Sequence, residues 1–194
     1  MIVPPVARVG AIVRPTAEEV GRPCPGDDVV DPADVVMDRG FDVPAAPDVV
    51  WPWLVQLGKD RAGWYLPRRL ERVLSHRNRA ARAIGARWQE LAVGDVIPDY
   101  GGRDETFTVT EIVAPSTLVY RSRRGRMDVS WAIMLRPSGN GTRVHLRLRL
   151  GPVRRRWLAT TVGELFDLLT IAGMAAGLAE RVGQPSDAAR RNAR

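Results

Sequence analysis

Between Gly94 and Gly151 the hydrophobic period is two, and every interruption is turn chemistry. Residues 95–99, 105–113, 117–123, 127–136 and 142–150 predict strands. The linkers are Gly101-Gly102, Pro115-Ser116, Arg124-Gly125 and a Pro-Ser-Gly-Asn-Gly run over 137–141. Linkers this short join antiparallel neighbours, since parallel strands need a long crossover. The last strand alternates most cleanly. Val144, Leu146, Leu148 and Leu150 face one way and Arg143, His145, Arg147 and Arg149 the other. One face meets a core and the other meets water or a polar site.

A single long helix is predicted over 157–182, after a turn at Gly151-Pro152 and a basic step at residues 154–156. Leu158, Val162, Leu165, Phe166, Leu169, Gly173, Met174 and Leu178 recur at spacings of three and four. Taken as the buried stripe, they make Leu169→Asp a change expected to cost several kcal/mol, because the new charge has no partner.

Ahead of the strand run, residues 37–43 suit a first strand. A helix starting near Asp48 follows, its Pro52 tolerated only in the first turn, with residues 50, 53, 54 and 57 on one face. A second helix is expected at 67–74, with Leu66, Leu70, Val73 and Leu74 inward. Prolines at 4, 5, 15, 23, 25 and 32 make residues 1–36 an irregular arm that adds little core. The domain then spans 37–183, and 184–194 is a polar, disordered tail. The fold class is α+β, with a curved antiparallel sheet of six to seven strands around one long C-terminal helix and two short helices after the first strand. This is the helix-grip arrangement.

Composition narrows the function. Cys24 is the lone cysteine and His76 and His145 are the two histidines, so no internal disulfide forms and no metal site is expected. No cofactor is expected either. No apolar run reaches the length of a membrane span, and Met1 is not followed by a secretory signal pattern, so the cytoplasm is the expected compartment. The net charge of +7 is unevenly spread. Residues 1–50 hold four arginines against nine acids, and the remainder holds 25 basic against 13 acidic residues. Arginine also accumulates with Ala, Gly, Val and Pro in GC-rich coding sequence, and no nucleic-acid motif or interleaved aromatic is present, so a nucleic-acid partner is not expected. Opposite charge favours docking of the arm on the body. Homodimerisation stays open.

Several segments together resemble the SRPBCC superfamily, also called START-like or polyketide cyclase/dehydrase-like, in its uncharacterised bacterial branch. They are Val50-Trp-Pro-Trp-Leu-Val-Gln-Leu-Gly58, Arg61-Ala-Gly-Trp-Tyr65, Val93-Gly-Asp95, Leu118-Val-Tyr120, Ser130-Trp-Ala132, Thr142-Arg143, Arg147-Leu-Arg149 and Pro25-Gly-Asp-Asp28. The resemblance covers residues 15–182 and departs from the branch at Tyr65-Leu-Pro-Arg-Arg-Leu-Glu71. It implies a hydrophobic small-molecule ligand, lipid- or polyketide-like, held between sheet and helix. An alternative is a cofactor-independent cyclase or dehydratase using the same space. A third is an interaction protein using the arginine-rich sheet face.

A curved sheet cannot close on one helix along its whole length, and the gap is filled by side chains or left for a ligand. The positions expected at that gap are Trp64, Tyr65, Phe107, Leu118, Tyr120, Met127, Val129, Trp131, Phe166, Leu169 and Met174. The same positions also suit a packed core. Were the protein an enzyme, Glu105, Tyr120, His145 and Arg147 would be the first candidates for proton transfer and charge stabilisation. His145 among arginines reads first as a solvated residue.

Overall fold

A computed structural model describes residues 10, 12–153, 157 and 159–183. Six antiparallel strands lie in the order β1-β6-β5-β4-β3-β2. They are β1 (Val35–Val43), β2 (Val96–Pro98), β3 (Thr106–Val113), β4 (Thr117–Arg124), β5 (Met127–Ser138) and β6 (Gly141–Gly151). A shift of register between Val109 and Glu111 marks a bulge in β3, which adds twist and helps curve the sheet. The helices are α1 (Ala17–Gly21), α2 (Pro47–Gln56), α3 (Arg68–Glu71) and α4 (Glu164–Val182), the last entered through a π turn over Ala159–Gly163. The expected fold class holds. The arginines at 154–156, Leu158 and the tail at 184–194 lie outside the described residues.

On the concave side, Phe41, Leu118, Tyr120, Val129, Ile133, Val144 and Leu146 form a core with α2 and the second half of α4. The expected second helix is shorter than its pattern suggested. Leu70 is 48% and Val73 84% exposed. Pro67 starts this helix and its single turn packs through Glu71 rather than through an apolar face.

The buried row of α4 is Ile171, Met174, Ala175 and Leu178. Val162, Leu165, Phe166 and Leu169 of the expected stripe point outward, with Phe166 70% and Leu169 49% exposed. The helix is apolar almost all round, so periodicity admits two faces. At 3.6 residues per turn, carrying the row Leu178–Met174–Ile171 backward lands on Asp167 and Glu164. Asp167 can face inward because Arg39, on the concave row of β1, meets it. Its Nε lies 2.9 Å from Asp167 Oδ2, and its Nη2 donates to the Glu164 carbonyl at 3.2 Å. Burial pushes Asp167 up to about 6, and the Arg39 charge opposes that rise. The stretch Thr160–Val182 is long and apolar enough to cross a membrane by length and composition, but its inner face rests on the domain.

Arg181 fixes the far end of α4. Its side chain is fully buried, and its guanidinium donates to Glu71 Oε1 at 2.7 Å and to the carbonyls of Ala81, Leu66 and Gly177. It also lies 4.5 Å from the centre of the Tyr65 ring. Gly177 allows this approach, because a Cβ there would sit 2.7 Å from the Tyr65 and Leu66 backbone.

Residues 12–34 cover the convex side. Cys24 packs with Val119, Ala132 and Met134, and the Ser130 hydroxyl donates to the Gly26 carbonyl at 3.0 Å. Thr16 caps α1 in a reciprocal box with Glu19. Glu19 also accepts from Arg143 at 2.8 and 2.9 Å, close beside Gly40, where any Cβ would collide with the Arg143 guanidinium. Val13 reaches the core and is fully buried.

Two outcomes follow. Met174→Asp should cost several kcal/mol or abolish folding, whereas Leu169→Asp should leave the melting temperature nearly unchanged. Thermal denaturation of the two variants checks which face is inside. Glu19 supplies an acid-sensitive contact. Burial would raise its pKa, but Arg143 and the Thr16 backbone N–H hold it at about 2, below an ordinary 4.5. Its contribution is therefore complete above pH 4.5 and disappears as pH falls through 2. The urea midpoints of the wild type and Glu19→Gln should differ near neutrality and converge across that window.

Candidate functional site

Four rings from the sheet and the loop after α2 form one layer on the concave side. Tyr120 of β4 pairs in register with Trp131 of β5, so both face the same way, and their rings stack at 5.6 Å between centroids. Phe107 of β3 lies 5.8 Å from Tyr120 and 6.0 Å from Trp131. Trp64 stacks on Trp131 at 6.1 Å, and Tyr100 meets Trp64 edge-on at 6.1 Å. Tyr100 is 54% exposed, so the layer reaches solvent there. Trp64 Nε1 donates to the Thr170 carbonyl at 3.2 Å, tying the layer to α4.

Leu118, Val129 and Met174 are fully buried in the core next to this layer, and Met127 is half-buried against it. Three expected site residues lie elsewhere. Phe166 and Leu169 are on the outer face of α4, for the reason given above. Tyr65 is fully buried but belongs to the Arg181 clamp. Its hydroxyl donates to the Trp53 carbonyl at 2.7 Å, and its ring packs edge-on against Trp53.

The layer carries polar atoms that sequence reasoning passed over. Tyr120, Ser122 and Arg124 alternate on β4 and share the concave face. Ser122 is 4% exposed, and its hydroxyl has no hydrogen-bond partner among the described residues. Tyr120 is 1% exposed, no hydrogen bond to its hydroxyl is seen among the described residues, and burial pushes its pKa up. Arg124 pairs with Asp99, lies 5.6 Å from the centre of the Phe107 ring, and keeps a buried, unpartnered Nε. Arg61 spends Nη2 on the carbonyls of Val55 and Trp88, and its Nε is likewise buried and unpartnered. Strand parity after Tyr120 would have found Ser122 and Arg124; nothing in the local pattern marks Arg61.

The proposed proton-transfer residues do not converge. Tyr120 is on the concave side, and Glu105 stands at the edge of the Gly101-Gly102 turn. His145 and Arg147 are on the convex side, beneath the arm. His145 is 2% exposed rather than solvated, because Asp38 and the arm enclose it. Asp38 Oδ1 accepts from His145 Nε2 and from Arg147 Nε, both at 2.8 Å. Burial alone would raise the Asp38 carboxyl, but His145 and Arg147 hold it below the usual range.

Arg147 continues to Asp27 at 3.0 Å and to the carbonyls of Glu19, Val20 and Arg22. Arg149 pairs with Asp27 and Asp31, and Arg143 with Glu19 and Asp42. Arg143, Arg147 and Arg149 are thus matched by the chain's own acids. Among the described residues, no group of three His, Cys, Asp or Glu side chains is placed to hold a metal.

No protein-family profile and no curated protein matches the chain. Solved structures do. A protein of Chromobacterium violaceum, CV1439, is 16% identical over 77% of this chain and 98% of its own, with a TM-score of 0.50. CalU16 of Micromonospora echinospora is 16% identical over 76% of this chain and 83% of its own, with a TM-score of 0.45. The Aha1 dimer of Colwellia psychrerythraea is 15% identical over 75% and 98%, at 0.43. The likeness to CV1439 supports the helix-grip fold and no more.

The convex cluster predicts a large effect from a small change. Asp38→Asn leaves the Arg147 charge buried without its nearest counterion and should cost about 3–5 kcal/mol. Urea denaturation near neutral pH measures this.

Proposed function

We propose that the chain is a START-like (SRPBCC) protein that binds a planar, apolar small molecule on the concave side of the sheet, beside the aromatic layer. The observation carrying this reading is the Ser122 hydroxyl, buried without a hydrogen-bond partner among the described residues on the strand face it shares with Tyr120, whose ring packs with Phe107 and Trp131. Buried hydroxyls normally find a partner. Rings on three elements, open to solvent at Tyr100, offer stacking surface to a flat ligand. A binder rather than an enzyme is favoured, because Glu105 and Tyr120 lie apart from His145 and Arg147. The cyclase reading would need an acid–base pair on the concave side.

An apolar fluorescent probe should bind with micromolar affinity, about −8 kcal/mol. Trp131→Ala should weaken binding by about tenfold, roughly one aromatic contact, whereas Phe166→Ala, on the outer face of α4, should leave it unchanged. Equal loss in both variants would place the probe on the helix surface instead.

A further inference from the structure

The unpartnered polar atoms at the aromatic layer are all able to donate. Ser122 offers a buried hydroxyl, and Arg124 and Arg61 offer buried guanidinium N–H groups; Tyr120, whose hydroxyl no described residue hydrogen-bonds, stands on the same strand face as Ser122. Their placement ties them to one region. Ser122 and Arg124 follow Tyr120 along the concave face of β4, and Arg124 lies over Phe107. Gly58, beside Arg61, approaches Ile97, and Ile97 pairs in register with Phe107. Arg61 also lies within electrostatic range of Tyr120.

Asp99, the acid that pairs with Arg124, leaves the Arg124 Nε unused. Donors left without acceptors in a buried apolar setting are costly, more so when they belong to a charged group. The complementary ligand brings an acceptor to them.

We infer, resting on the binding reading above, that the ligand is a planar aromatic acid. Its ring system stacks in the Trp64–Trp131–Tyr120–Phe107 layer, and its anionic oxygens accept from Ser122, Tyr120 and the Nε groups of Arg61 and Arg124. A neutral hydrocarbon of the same shape leaves those donors unanswered. The specificity is of the kind in which a site built for a polar group rejects the analogue lacking it.

Calorimetric titration of the intact chain with 2-naphthoate, ionised near neutral pH, and with 2-ethylnaphthalene tests this. In the wild type the naphthoate should bind about tenfold or more tightly than the hydrocarbon, the scale of a hydrogen bond to a charged group. Ser122→Ala and Tyr120→Phe each remove a hydroxyl that hydrogen-bonds to no described residue. Each should therefore keep the wild-type melting temperature while cutting the preference for naphthoate several-fold. Equal affinity for the two compounds, or a preference untouched in both variants, overturns the acid assignment and leaves the binder reading standing. Failure of both compounds to bind overturns the two together. Destabilisation of both variants would show that their hydroxyls serve the fold, and that also overturns the assignment.

Discussion

The buried pair of Arg181 and Glu71 sets where α4 lies, and much of the concave side follows from that. A fully buried guanidinium is tolerable only with its charge met and its N–H groups used. Glu71 meets the charge, and three carbonyls take further N–H groups. The Tyr65 ring lies against the guanidinium, and Gly177 lets the helix touch the backbone there. Once that end is pinned, the inner face is Ile171, Met174, Ala175 and Leu178. The same face, followed back along the helix, delivers Asp167 to Arg39. Two arginines thus hold the two ends of one helix, and the apolar contacts between them need not choose the face by themselves.

The two sides of the sheet divide the work. The convex side of β1 and β6 is polar and buried, which is uncommon and demands exact pairing. The arm provides it with Glu19, Asp27 and Asp31, while Asp38 lies under both His145 and Arg147. The uneven charge along the chain is therefore an internal complement, with the acidic start folded against the basic last strand. The concave side carries the aromatic layer and, at Ser122, Arg61 and Arg124, buried polar atoms without a partner among the described residues.

Much of the fold was legible because it rests on local signals. Period-two segments separated by Gly, Pro and Asn turns place β3 to β6 within about two residues, whereas Pro52, expected in the first turn of α2, lies inside the helix, which Pro47 starts. The face of α4 was not legible. A helix apolar on every side has no unique stripe, and the acid at Asp167 argues for solvent until a distant Arg39 is known to meet it. His145 misleads for the same reason, since alternation with arginines looks solvated unless the arm's acids are placed over it. At the site, strand parity located Phe107, Tyr120 and Trp131. Trp64 was placed only because it follows a glycine loop. Arg61 joins through tertiary folding that leaves no periodic trace.

The proposed ligand would enter the concave aromatic layer rather than settle on the exposed outer face of α4. The six tryptophans give indole N–H resonances at both places. Trp64 and Trp131 belong to the layer, whereas Trp157 is 67% exposed at the start of the helical segment. A two-dimensional NMR titration with 2-naphthoate should shift the Trp64 and Trp131 indole signals together, saturably, and leave Trp157 in place. Shifts confined to Trp157, with Trp64 and Trp131 unmoved at saturating ligand, would contradict the claim.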